Sequence, residues 1–107
     1  MQETDASDPI LRRIKEELRK LYGARLERVL LYGSRARGEH TPESDYDVLV
    51  VIKPPFDHWA ELSRLSDLSA KLTWDTLAVV SFRPVTASDV DARTGFMHNV
   101  RREAVIL

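Results

Sequence analysis

Cysteine is absent from this 107-residue chain, which excludes disulfides, thiolate nucleophiles and zinc sites built on cysteine. No apolar run approaches the ~18 residues of a membrane span. The first eight residues, Met-Gln-Glu-Thr-Asp-Ala-Ser-Asp, are polar and acidic and do not read as a signal sequence. The expected setting is therefore the cytoplasm, with no membrane partner. An excess charge of either sign is missing as well. Sixteen Lys+Arg against 17 Asp+Glu leave a net charge of −1, so the overall field gives no reason to expect nucleic acid, although local patches can still matter. His40, His58 and His98 share no metal-ligand spacing and are read as surface residues.

Hydrophobic residues at 43% and charged residues at 31% describe a folded chain, and the length suits one domain over residues 1–107, with 1–7 expected to be disordered. Asp8-Pro9 is a helix start, and Ile10, Leu11, Ile14, Leu18, Leu21 and Tyr22 follow at helical spacing until Gly23. Val29-Leu30-Leu31-Tyr32 closes a short apolar strand over 25–32. Residues 33–44 read as a loop. Asp45–Ile52 is strongly β-branched and stops before Pro54-Pro55. Trp59, Leu62, Leu65, Leu68 and Leu72 predict an amphipathic helix over 57–72. A third strand is predicted over 73–82, closed by Pro84, followed by two short helices within 88–105. Trp59, Trp74 and Phe96 are expected in the core. Strands interspersed with helices give an α/β or α+β sandwich, a small mixed sheet of three or more strands covered by helices.

Two features meet in the stretch from Gly33 to Asp47. Gly33-Ser34 ends an apolar strand, where glycine allows close backbone approach to a ligand and the serine adds a hydroxyl donor. If Ser34 to Arg37 begins a helical turn, free N–H groups would face an anion. Asp45-Tyr46-Asp47 heads a strand whose period of two puts both carboxylates on one face and Tyr46 on the other. Paired carboxylates repel and tend to hold a proton between them. A hard divalent cation relieves that repulsion, and magnesium in particular takes one or two carboxylates plus substrate phosphates. Otherwise the aspartates are a solvated strand entrance and Gly33-Ser34 an ordinary turn.

Gly33-Ser34, ten residues from Arg35 to Ser44, then Asp45-x-Asp47 resembles the signature of the minimal nucleotidyltransferases of the polymerase beta superfamily. Four fixed residues at fixed spacing arise by chance in about one chain in a thousand of this length. The likeness extends over nearly the whole chain: a leading helix, Arg37-Gly38, Ser44 before the first aspartate, and a C-terminal helix over Phe96–Val105. It implies a polymerase beta-like nucleotidyltransferase fold and metal-dependent transfer of a nucleoside monophosphate, usually AMP from ATP, to a hydroxyl. Asp45 and Asp47 would ligate one or two magnesium ions, and Gly33 and Ser34 would hold the triphosphate. Arg35 and Arg37 beside them are candidate phosphate contacts, as is Ser44 by its place in the motif. A third carboxylate on a later strand normally completes both the metal site and the catalytic set. Asp75 is the best match, although the family more often shows an aliphatic residue where Thr76 stands. Ser81 shares the predicted face with Asp75 and takes the equivalent depth under a different register. The resemblance further implies a HEPN-type toxin as protein partner, silenced by modification. The alternatives are a catalytically degenerate binding module that neutralises or assembles with a partner without transfer, and an accessory subunit that binds nucleotide as an allosteric ligand.

Overall fold

Asp8 opens the first helix as its composition dictates. In the computed structural model, which describes Gln2, Glu3 and residues 8–107, its carboxylate accepts from the Ile10 N–H at 2.8 Å and Pro9 takes the first helical position. Helix α1 (Pro9–Tyr22) buries Leu11, Ile14, Leu18 and Tyr22 and stops at Gly23, whose φ of 56° suits glycine. A single 3-10 turn leads into strand β2 (Leu26–Tyr32), and a four-residue helix α2 (Ser34–Arg37) follows at once. Strand β3 (Tyr46–Ile52), helix α3 (His58–Thr76) and strand β4 (Val80–Val85) come next. Helices α4 (Ala87–Val90) and α5 (Gly95–Glu103) precede the two-residue strand β5 (Val105–Ile106).

With β1 (Gln2–Glu3) the sheet has the order β1-β5-β2-β3-β4. Strand β2 runs antiparallel to β3, and β3 parallel to β4, with α3 as the crossover that a parallel pair requires. Alternation along the central strands sends Val29, Leu31, Val48, Val50 and Ile52 to the layer of α1 and α3, and Leu30, Leu49, Val51 and Val85 to that of α4 and α5. Both faces of β3 are covered, which is why it reads as an unbroken apolar run. The mixed sheet between helices is the α/β architecture expected from the sequence.

Several expectations are corrected. Residues 73–76 continue α3 instead of starting a strand. The helix ends at Leu77, whose φ of 63° is left-handed and whose N–H reaches the Thr73 carbonyl at 2.8 Å, so the stop carries no glycine to mark it. Strand β4 begins at Val80 and runs through Pro84, which an edge strand tolerates because one side of it needs no ladder N–H. Trp59 and Trp74 are 77% and 87% exposed and lie outside the core; Phe96 is 38% exposed. Gln2 and Glu3 pair with β5 where disorder was expected, while Met1 and residues 4–7 lie outside the described residues. Among the described residues no helix is long and apolar enough to cross a membrane.

Candidate nucleotide and metal site

Asp47 lies in register with Tyr32 on β2 and Ser81 on β4, which makes a row of three side chains across the sheet. Leu49 and Val51 follow Asp47 at the strand period and pack on the α4/α5 side, so the Asp47 carboxylate belongs to that face too, while Asp45 stands just before the strand, near enough for its charge to act on Asp47. Tyr46 points the other way. It is buried among α1 and α3, and its hydroxyl donates to Asp8 Oδ2 at 2.7 Å. Asp45 is exposed and Asp47 half-buried. Burial pushes the Asp47 carboxyl above its ordinary range, the Asp45 charge pushes it further, and Arg37 opposes both. Desolvation is the larger cause and repulsion within the carboxylate pair the second, and Arg37 offsets them only in part. Burial followed by the Asp47 charge raises the neighbouring Tyr32 phenol as well.

Gly33 is held against this pair. Its φ of 78° and ψ of −159° lie in a region essentially confined to glycine, and a Cβ there would run into the Asp47 carboxylate. Next to it, Ser34 opens α2, and the Gly33 carbonyl accepts from the N–H groups of Ala36 and Arg37 at 3.1 and 3.2 Å. The Ser34 and Arg35 N–H groups belong to the first turn and have no intrahelical acceptor.

The structure separates the remaining candidates. Arg37 stays near the carboxylates, bridged to Glu39 at 3.0 Å and to Glu103 of α5 at 3.2 Å. Arg35 turns to the opposite face. Its guanidinium stacks 3.9 Å from the centroid of the Tyr46 ring and donates to the Ser44 carbonyl at 2.9 Å, so it braces the loop and is not presented to phosphates. Ser44 also serves the loop, its hydroxyl accepting from the Thr41 N–H at 2.9 Å. Asp75 is not brought to the site. It occupies the last turn of α3 and pairs with Arg13 of α1 at 2.8 Å, because the helix continues where a strand was predicted. The residue beside Asp47 on β4 is Ser81.

Two neighbouring carboxylates, one with its proton affinity raised by burial and by the charge of the other, fit a hard divalent cation whose remaining positions substrate phosphates would fill. Among the described residues no group of three or more His, Cys, Asp and Glu side chains comes together to hold a metal. Asp45 and Asp47 are the two carboxylates that could face such a cation.

Sequence reading missed two residues on this face. Arg83 on β4 holds its guanidinium 4.6 Å from the centroid of the Phe96 ring, and that ring meets Tyr32 edge-on at 5.5 Å. Phe96 is partly exposed where its apolarity predicts core, and the start of β4 at Val80 instead of residue 73 puts Arg83 within the strand.

The family model for the nucleotidyltransferase domain matches residues 11–93. Two relatives from Methanocaldococcus jannaschii, "Putative protein adenylyltransferase MJ0604" and a second protein of the same description, MJ0141, are 42% and 41% identical over 45 and 44 residues. Those stretches cover 42% and 41% of this chain and 45% and 44% of the relatives, less than half of each. A toxin–antitoxin structure with AMP-PNP superposes with a TM-score of 0.63 at 21% identity, over 92% of this chain and 72% of that one. A Sulfolobus solfataricus structure described as a "putative nucleotidyltransferase" gives 0.64 at 23% identity, over 91% and 75%. At these identities the two structures establish likeness of fold. The family match covers most of the chain and includes Gly33, Ser34, Asp45 and Asp47, and the chain belongs to the nucleotidyltransferase domain family.

Proposed function

We propose that this chain binds a nucleoside triphosphate, ATP in the first instance, and transfers its nucleoside monophosphate to a hydroxyl group of a partner protein. The carrying observation is the packing of Gly33 on the carboxylate of Asp47, with the Asp45 charge close enough to act on it: the turn that would hold phosphates touches the pair that would hold a cation. Asp45 and Asp47 would hold one or two magnesium ions, which when bound neutralise the triphosphate and polarise its α-phosphorus. Gly33 lets the backbone approach the phosphates, the Ser34 hydroxyl donates to them, and Arg37 adds positive charge beside them. The acceptor oxygen bonds to the α-phosphorus, the bond to the bridging oxygen breaks, and pyrophosphate leaves. Ser81, the β4 residue beside Asp47, offers no base for the hydroxyl proton, and the leaving pyrophosphate takes that proton up.

Relatives described as protein adenylyltransferases and a toxin–antitoxin neighbour crystallised with AMP-PNP support a protein acceptor. A HEPN-type toxin, silenced by the modification, is the partner proposed here, and the cytoplasm is the compartment that supplies the triphosphate. A second reading, a partner-binding module without transfer, is favoured by one observation, the serine at position 81. Incubation with α-labelled ATP, magnesium and the protein encoded beside this one separates the two. Label on the partner that is lost in Asp47→Asn supports transfer. Neutralisation of the partner without label supports the binding module.

A further inference from the structure

A groove of about 540 Å³ runs along β4 beneath α4 and α5, lined by Arg83, Val85, Thr94, Phe96 and Met97 among others. Its size falls in the range of small-ligand sites. Its Arg83 and Phe96 are the lining residues linked to the carboxylate face. Ser81 is in register with Asp47, and Arg83, two residues along the same strand, is in register with Leu49, so Arg83 lies about 7 Å from the metal row on the same face. The Phe96 ring bridges the two places, touching Tyr32 of the row and lying under Arg83. Helix α5 is tied over this face at its other end as well, through Glu103 and Arg37.

We propose that this groove is the nucleoside subsite, in which the base of the triphosphate stacks on the Arg83 guanidinium where it lies against Phe96. Arginine is suited to this role because its planar, weakly hydrated guanidinium stacks on aromatic rings. One of its faces is already covered by Phe96, and the side chain is exposed, so a base adds a third layer at little ordering cost. The offset of two strand residues from Asp47 is a distance that ribose and one phosphate span. The floor of Val85 and Met97 is apolar, and the carboxylate in the groove lining, Asp89, accepts from the Thr86 N–H at 2.9 Å. The inference rests on the triphosphate reading of the Asp45/Asp47 site and adds where the nucleoside goes.

Calorimetry of the full chain in magnesium, with ATP and with inorganic tripolyphosphate as separate probes, tests it. Wild type should bind ATP more tightly than tripolyphosphate. Arg83→Gln should weaken ATP by about tenfold, the scale of one lost stacking partner, and leave tripolyphosphate unchanged. Phe96→Leu, which keeps an apolar side chain on α5, should move ATP in the same direction. Equal losses on both probes would make Arg83 a phosphate contact, and no loss on either would place the nucleoside elsewhere; each overturns the proposal while the triphosphate site stands. If wild type binds neither probe, the triphosphate reading falls and this inference with it.

Discussion

Replacing Gly33 with alanine tests the contact on which the site is built. Two costs are expected. The backbone at φ 78°, ψ −159° is a region that side chains disfavour by about 1–3 kcal/mol. The new Cβ would also overlap the Asp47 carboxylate, and forcing an extra carbon into a filled space adds roughly 1–3 kcal/mol unless the neighbour moves. The two sum to about 2–6 kcal/mol, a large part of the stability of a domain this size. The second cost depends on Asp47 and the first does not. In an Asp47→Ala background, Gly33→Ala should cost only the backbone part, so the two substitutions couple by about 1–3 kcal/mol. Urea denaturation of wild type, both single variants and the double variant gives the coupling. Equal penalties for Gly33→Ala in the two backgrounds would mean that the carboxylate does not lie against the turn, and the placement of the site would be refuted.

Asp47→Asn should leave stability at pH 7 unchanged or slightly higher. The Asp47 carboxyl is raised by burial and by Asp45, so its charged form costs stability that returns as pH falls through the folded value, and that gain should vanish in the variant's pH–stability profile. Glu61 behaves in the opposite sense. Burial raises its carboxyl, but hydrogen bonds from Arg25 at 2.8 Å and Tyr22 at 3.0 Å outweigh burial and hold it below the ordinary range. The stability it confers is therefore full above that range and lost as pH falls through the lower folded value. Glu61→Ala, which orphans the buried Tyr22 hydroxyl, should cost about 1–3 kcal/mol by denaturant titration. Asp75→Asn breaks only the Arg13 pair on the helix surface, so magnesium-dependent ATP affinity measured by calorimetry should match wild type; a loss would return Asp75 to the site.

Much of this architecture is legible in the residues because the signals are local. Asp8-Pro9 caps α1, Gly23 ends it, and the β-branched run after Asp47 can only be a covered strand. The motif from Gly33 to Asp47 is short enough for its spacing to fix its geometry. Position 75 misled because neither glycine nor proline marks the end of α3: the helix ends through the left-handed Leu77, a residue that does not announce a stop. The displaced start of β4 then hid the registry of Ser81 with Asp47, and of Arg83 with Leu49. Arg35 could not be assigned from its neighbours in sequence, because the ring it stacks on faces the other side of the sheet. Strands β1 and β5 are two residues each and owe their pairing to the sheet rather than to their own propensity.

The central claim is that Asp45, Asp47, Gly33 and Ser34 form one site for a triphosphate held through a divalent cation. Calorimetric titration of wild-type protein with ATP, once in chelator and once in millimolar magnesium, tests it most directly. Two uncompensated carboxylates repel a polyanion, so binding should be seen with magnesium, lost in chelator, and lost again in magnesium when Asp45 and Asp47 are both changed to asparagine. Equal affinity with and without the cation, or binding that survives the double substitution, would contradict the claim.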